Sequence, residues 1–594
     1  MTTQEILDSV GIERKPDYWS EKYFKGIENL SKPIYEVEKE EDVVCYMRDG
    51  VKTYVDIYRP KNAEDEVFPG LVAFSAYGKS IQVSERVPMG FNSLLFDHTI
   101  EAGDVEYYVK RGYIVVIPDP RGVGKSEGIW DGLYGRQEQE DCYDVIEWTA
   151  KLKGCNGNIG MIGISYFSIL QPLVAALQPP SLKAIMCVEI VDSLYHHNYP
   201  GGVFFDRSNI YNDFCPVKGI SNTEKNNTED ELKALIDKRI NDADVRSSAL
   251  LTRVLSCFPP RHQTYFFDVI MNNLDNDFWD DRSLINKLKD IKIPMYLISE
   301  YYEFGRFTQG PFFAYNNCND DVVTKIFAPE AHRDIGLPHK SLSEEYIRWY
   351  DYWLKGKETG VLDEPPIKIR VQGDERVRYE YEWPIERTQW TKFYLRKGGL
   401  LSKELESLDS VNPDIMNYTP PAINPSEPSE MACISYTTES MEEDMEITGP
   451  IALHLNAALD VDDANFAIYL FDVSEDGHMR LLTTGSLRAS HRGIITEKTT
   501  DYNIFHNHTK KVPVTPNEVN RYSIEIITTS MVIKKGHKVK MLIKNTNPSY
   551  FSSMLITPDE RDITYSIEVG KENPSYLLLP VIPYSPEEYW ITKG

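Results

Sequence analysis

Two kinds of apolar patterning divide the chain. In the first, short uninterrupted apolar runs alternate with stretches of helical character. The runs are Gly70-Leu-Val-Ala-Phe-Ser75, Tyr113-Ile-Val-Val-Ile-Pro118, Asn158-Ile-Gly-Met-Ile162, Pro294-Met-Tyr-Leu-Ile-Ser299 and Lys325-Ile-Phe-Ala328. Strands of this kind are buried on both faces, and their alternation with helices at 139–148, 169–177 and 344–354 predicts a largely parallel α/β sheet. Ahead of them, two alternating runs around Asp49-Gly50, over 43–58, predict a β-hairpin. Between about 193 and 288 the strand rhythm stops. Segments 228–239 and 246–257 read as helices, the first with Thr228 as N-cap and an acidic first turn. This is a helical insertion, and such insertions commonly form a lid over a site. Beyond Pro365-Pro366 the pattern changes to short alternating strands at 392–395, 451–455, 467–473, 522–527 and 538–543, separated by turn residues, which predicts a β-sandwich. The resulting plan is an N-terminal arm (1–35), an α/β core in two parts (36–192 and 289–362), a helical cap inserted between them (193–288), and a C-terminal β-sandwich (363–594).

The most informative chemistry sits at Gly163-Ile-Ser-Tyr-Phe-Ser168, between the predicted strand at 158–162 and the apolar run that starts at Ile169. Strand, sharp turn and helix with a serine at the apex make a nucleophile elbow. A serine hydroxyl is a weak nucleophile until a strained turn exposes it and a neighbouring base takes its proton. Gly163 suits the crowded position two before Ser165. A helix starting after Ser165 aims backbone N–H groups at any oxyanion formed there. A serine between a strand and a helix also suits an ordinary turn or N-cap, so partners are required. In an α/β-hydrolase the acid and the histidine follow the serine in that order, on loops after later strands. Glu303 follows the strand at 294–299 and His332 follows the strand at 325–328.

Composition narrows the function classes. The 594 residues carry a net charge of −27, which disfavours nucleic acid and anionic membrane surfaces as partners. The first residues, Met-Thr-Thr-Gln-Glu-Ile-Leu-Asp, lack the basic start and apolar core of a signal peptide, and no apolar run is long enough to cross a bilayer. Eight cysteines without CxxC spacing read as reduced thiols, not as a disulfide framework or zinc site. The expectation is a cytoplasmic protein.

Several segments together resemble the cocaine-esterase/X-Pro dipeptidyl-peptidase family of α/β-hydrolases, which includes α-amino-acid ester hydrolases and glutaryl acylases. They are Met47-Arg-Asp-Gly50, Asp56-Ile-Tyr-Arg-Pro60, Asp119-Pro-Arg-Gly-Val-Gly-Lys-Ser126, the Ser165 elbow and Arg348-Trp-Tyr-Asp-Tyr-Trp-Leu-Lys-Gly356. Thr484-Gly-Ser-Leu-Arg-Ala-Ser-His-Arg492 and Lys535-Gly-His-Lys-Val539 resemble the family's C-terminal jelly-roll domain. The resemblance implies an α/β-hydrolase domain with a helical cap and a jelly-roll-like β-sandwich. It implies Ser165 as nucleophile, His332 as general base, and an oxyanion hole made by the Tyr77 hydroxyl and the Tyr166 amide. Glu303 stands where the family usually has aspartate, in Glu300-Tyr-Tyr-Glu303, with Glu300 as the alternative orienter of His332. Ser168 stands where the family pattern Gly-x-Ser-Tyr-x-Gly ends in glycine.

The expected activity is therefore a serine hydrolase acting on a small-molecule ester or amide through an acyl-enzyme, with no cofactor or metal. An X-Pro dipeptidyl-peptidase, a biosynthetic acyl transferase or cyclase, and a non-catalytic binding protein using the β-sandwich stay open, as does a homo-oligomer. Three features are read as decoys. Gly122-Val-Gly-Lys-Ser126 lacks the first glycine of a P-loop, which is Asp119 here. His196-His197 are adjacent, a poor chelating geometry. Trp279, Phe278 and Phe266-Phe267 are expected to pack the cap helices together.

Overall fold

The computed structural model of the chain describes residues 26–63, 65–82, 101–205, 218–246, 249–258, 264–299, 306–328, 340–374, 377–407, 411–419, 433–545, 561–583 and 590–591. The first sheet contains β1 (Val37–Tyr46), β2 (Lys52–Pro60), β3 (Phe68–Val72), β4 (Ile114–Asp119), β5 (Cys155–Met161), β6 (Leu182–Val188), β7 (Met295–Ile298), β8 (Thr324–Ala328), β9 (Ile367–Arg370), β10 (Val377–Glu380) and β22 (Trp590–Ile591). Their order is β1-β2-β4-β3-β5-β6-β7-β8-β9-β10-β22. From β4 across to β9 every pairing is parallel, while β1, β2, β10 and β22 join antiparallel at the two edges. The apolar runs explain this layout, since every residue of β3, β4, β7 and β8 is buried. The helices α1 (Arg136–Thr149), α2 (Tyr166–Ala175) and, later in the chain, α8 (Lys340–Lys355) belong to this domain. From α8 the Trp349 indole donates to the Ile185 carbonyl at 3.1 Å, and the Tyr350 hydroxyl donates to the Met161 carbonyl. The central strands and this helix are thereby locked together.

The sheet extends further along the sequence than the strand pattern predicts. β9 and β10 fall in the span assigned above to the β-sandwich, yet they hydrogen-bond onto β8 and each other. The four-residue run Ile367-Lys-Ile-Arg370 alternates like a sandwich strand, but it lies beside β8 with Ile326 opposite Ile367.

The inserted segment is helical, with α3 (Leu194–Asn198), α4 (Glu229–Ile240), α5 (Ala249–Leu255) and α6 (Thr264–Met271). Thr228 and Glu231 form the reciprocal capping box at the start of α4, so the acidic first turn is explained by the helix end it satisfies. Leu232 and Ile236 turn one face of α4 inward. Trp279 is buried, with its ring against Tyr195 and Phe278, so the cap aromatics do pack helices together. The helix α7 (Arg306–Asn317) follows β7.

The second sheet comprises β11 (Gln389–Arg396), β12 (Leu400–Ser402), β13 (Asp414–Tyr418), β14 (Cys433–Thr438), β15 (Met445–Leu459), β16 (Asn465–Val473), β17 (Met479–Arg488), β18 (Asn520–Ile533), β19 (Lys538–Lys544), β20 (Ile563–Ile567) and β21 (Tyr576–Ile582). β15 pairs with β18, β20 and β21, so the chain of strands closes on itself as a barrel-like sandwich around its own apolar core. No helix among the described residues is long and apolar enough to cross a membrane. None of the seven described cysteines is joined in a disulfide.

The sandwich is docked tightly against the cap. A Cβ at Gly201 would lie 2.0 Å from the Ser486 carbonyl oxygen, and one at Gly202 would lie 2.3 Å from the His491 ring. The Ser486 hydroxyl donates to the Pro200 carbonyl at 2.9 Å. His491 is buried at this junction, with its Nδ1 3.1 Å from Nδ1 of His508, a contact that needs one proton between two rings. Burial, helped by Lys511 and Arg488 and opposed by Asp463 and Asp244, lowers the His491 pKa to about 4. The unfolded chain protonates this histidine near its ordinary pKa of about 6.5. Between those values the unfolded state binds the extra proton, so stability falls as pH drops through that window. Thermal melts of wild type and His491→Gln between pH 7 and pH 4.5 should show the wild type losing more stability on acidification. Parallel losses would mean that His491 does not carry this linkage.

Candidate active site

The loop after β5 turns sharply at Ser165. Its φ of 53° and ψ of −112° place a non-glycine residue in backbone territory that L-residues avoid, at a cost of order 1–3 kcal/mol. Two backbone bonds hold the turn, Ile164 N–H to the Glu101 carbonyl and Ser165 N–H to the Val188 carbonyl, both at 3.0 Å. Gly163, at φ 119°, has no room for a side chain, because a Cβ would lie 2.4 Å from Cβ of Phe167 and 3.0 Å from the Glu101 carbonyl oxygen. α2 starts at Tyr166, with Ser165 as its N-cap residue. The Ser165 side chain makes no capping bond and is partly exposed, whereas every residue of α2 is buried. The ordinary role of an N-cap serine is therefore not what this hydroxyl does.

Ser168, in the first turn of α2, does more than keep the helix close to the strand. Its hydroxyl donates to the Gly163 carbonyl at 2.6 Å and accepts from the Val188 N–H at 2.7 Å. The Tyr346 hydroxyl, from α8, also reaches the Gly163 carbonyl at 3.3 Å. The elbow is thus tied to β6 on one side and to α8 on the other.

Tyr77 lies on the turn after β3 and is buried. Its ring meets those of Tyr166 and Phe167 edge-on, with centroids 5.1 and 6.3 Å away. The turn is anchored at Lys79, whose N–H donates to Asp119 and whose ammonium donates to Asp56, at 2.8 and 2.6 Å. The structure therefore brings Tyr77, Ser165 and Tyr166 together at one edge of the sheet. Glu303, Glu300 and His332 lie outside the described residues. The strands that precede them, β7 and β8, run parallel to β5 and deliver the chain to that same edge.

One neighbour of the elbow escapes the sequence pattern. Glu138, in the first turn of α1, is buried and accepts from the Tyr166 hydroxyl and the Tyr134 N–H, both at 2.6 Å. Burial pushes its carboxyl up to about 7, against the pull of those donors. In the sequence it is one of several acidic residues on an amphipathic helix, with nothing to distinguish it.

The decoys resolve simply. Segment 122–126 is a turn, where the Ser126 hydroxyl donates to the Asp119 carbonyl at 2.6 Å and accepts from the Tyr54 N–H at 3.0 Å. His196 is paired through Nδ1 with Asp192 at 2.6 Å, while the His197 ring packs against Phe307. Among the described residues no group of three or more histidine, cysteine or acidic side chains is placed to hold a metal ion. A cavity of about 240 Å³ lies where the loop after β6, α7 and the sandwich meet, lined among others by Asp192, His196, Phe312, Trp383, Phe505 and Glu525.

The family model of the X-Pro dipeptidyl-peptidases (S15 family) matches residues 49–333, and that of the X-Pro dipeptidyl-peptidase C-terminal non-catalytic domain matches residues 359–577. The chain belongs to this serine-hydrolase family. Similar proteins include the cocaine esterase of Rhodococcus, 24% identical over 91% of this chain and 98% of that protein. A protein assigned as a Xaa-Pro dipeptidyl-peptidase in Bacillus anthracis is 24% identical over 57% of each chain. The crystal structure of a CocE/NonD family hydrolase from Staphylococcus aureus superposes with a TM-score of 0.73 at 22% identity, covering 92% of this chain and 94% of that one. An α-amino acid ester hydrolase structure superposes at 0.70 with 18% identity, covering 93% and 97%. The S15 fold, with its C-terminal β-domain, is the one described above.

Within this S15 chain the serine that replaces the last glycine of the elbow pattern has acquired two hydrogen bonds. Ser168→Ala leaves the Val188 N–H and one acceptor at Gly163 without that partner, so denaturant unfolding should show a loss of about 1–3 kcal/mol. A loss below about 0.5 kcal/mol would mean that the hydroxyl is dispensable to the elbow.

Proposed function

We propose that the protein hydrolyses a small-molecule ester or amide through an acyl-enzyme formed on Ser165. The observation that carries this reading is the Ser165 backbone. A residue held at positive φ at the head of a buried helix, with its hydroxyl unused as a cap and partly exposed, is poised to attack a carbonyl. His332 takes the Ser165 proton during attack, and Glu303 orients the imidazole and stabilises its cation. The Tyr77 hydroxyl and the Tyr166 N–H hold the developing oxyanion, as positive charge at the start of a helix favours. His332 then protonates the leaving alcohol or amine, and a water molecule repeats the sequence in reverse to free the acid.

Ester chemistry is favoured over dipeptide release by the extent of the similarities. The match to the cocaine esterase covers nearly all of that protein, whereas the matches to the two Bacillus proteins assigned as Xaa-Pro dipeptidyl-peptidases cover 57% and 59% of theirs. The peptidase reading draws support from the family model over 49–333 and remains the second choice.

The test is turnover of p-nitrophenyl acetate, butyrate and benzoate beside Gly-Pro-p-nitroanilide. Ester turnover should dominate and fall by at least about 10⁴-fold in Ser165→Ala. Tyr77→Phe should lower kcat by about 100-fold with the protein still folded. Preference for the Gly-Pro amide would select the peptidase reading, and full activity in Ser165→Ala would overturn the assigned nucleophile. Product partition with an added alcohol or amine distinguishes hydrolysis from acyl transfer.

A further inference from the structure

We infer that Glu138 is a positioning residue for the oxyanion hole, acting through the side chain of Tyr166. The inference rests on the acyl-enzyme reading above and adds a residue that reading does not contain.

Tyr166 has two jobs in one residue. Its N–H opens α2 beside Ser165, and its side chain runs into the protein, where it is buried. The ring lies between Tyr134, at a centroid distance of 4.6 Å, and Tyr77, at 5.1 Å. Its hydroxyl ends on Glu138 Oε1 at 2.6 Å. The other carboxylate oxygen, Oε2, accepts from the N–H of Tyr134, a residue held at φ 55°. One carboxyl group therefore holds Tyr166 through its hydroxyl and the neighbouring wall, Tyr134, through its backbone N–H. The Tyr77 ring rests on the third side of the same cluster, so the side-chain arm of the oxyanion hole leans on the residue that supplies the backbone arm. Moving Tyr166 disturbs both donors together.

A buried carboxylate is a costly way to hold a tyrosine ring if packing were the only purpose. Two short bonds to one buried carboxyl group give instead a narrow, directional fix, which oxyanion donors require because they act only when correctly placed.

The test uses Glu138→Gln, Tyr166→Phe and the double variant, each assayed with the best ester substrate and with benzeneboronic acid. The boronate forms a tetrahedral adduct on serine and reports oxyanion binding. Either single change should lower kcat and weaken boronate inhibition by about 10-fold in step, with KM within about twofold. The double variant should be no worse than Tyr166→Phe alone, because the carboxylate acts through that hydroxyl. Tyr166→Phe removes one oxygen, so it keeps the test open if Glu138→Gln does not fold. Additive losses, a KM effect as large as the kcat effect, or unchanged kcat in Tyr166→Phe would overturn the inference. Activity retained by Ser165→Ala would instead overturn the acyl-enzyme reading itself, so the two failures are distinct.

Discussion

Everything at the candidate site depends on keeping Ser165 in a backbone conformation that it does not prefer. Such strain persists only where the surroundings leave no alternative. Here β6 receives the elbow twice, through the Val188 carbonyl, which accepts from Ser165, and the Val188 N–H, which is held by Ser168. On the other side the Gly163 carbonyl collects the hydroxyls of Ser168 and Tyr346. Because Gly163 has no Cβ, Phe167 and the Glu101 backbone close over it at van der Waals distance. The strands beneath are buried on both faces, so the platform cannot relax without exposing apolar surface.

The same rigidity extends to the third layer of the protein. The loop after α3 passes so close to β17 and His491 that two successive glycines are required there. The sandwich also walls the cavity of about 240 Å³, together with the loop after β6 and α7. A cavity wall built from three parts of the chain keeps its shape only while their junctions hold. In its polar lining Asp192 and His196 are buried and paired with each other at 2.6 Å, while Glu525 is half-buried.

How much of this was legible in the sequence follows from what each signal encodes. Apolar runs and turn residues encode burial and reversal, and they located the hairpin, five strands of the parallel sheet, the capped α4 helix and five of the sandwich strands, but not β6 or the remaining sandwich strands. They could not place β9 and β10, because a four-residue alternating run carries no record of which sheet it joins. Ser165, Gly163 and Tyr166 can be named from the sequence because an elbow has a fixed spacing, and Tyr77 because the resemblance supplies the tyrosine. Glu138 was missed because its role is created by tertiary contact. A glutamate in the first turn of a helix is already explained by the helix dipole, and only the fold puts its carboxylate against Tyr166. The Ser168 hydroxyl is illegible in the sequence for a similar reason, since it acquires a purpose only when Val188 lies opposite.

The use of tyrosines around this elbow has a physical logic. A backbone N–H is fixed by the helix to which it belongs, but a hydroxyl on a side chain keeps two rotatable bonds. To act as a preorganised donor it must lose that freedom before the substrate arrives, otherwise ordering it would raise the barrier it is meant to lower. Aromatic rings can be immobilised by edge-to-face packing at little cost in polar desolvation. Tyr77 rests on Tyr166 and Phe167, and Tyr166 on Tyr134, so each ring is oriented by the next. A stack of rings still slides along its own surface, and a directional bond at one end prevents this. The Glu138 carboxylate supplies that bond from a helix whose own position is set by the sheet. In the proposed mechanism the precision of the reaction is therefore inherited, step by step, from the burial of the parallel strands.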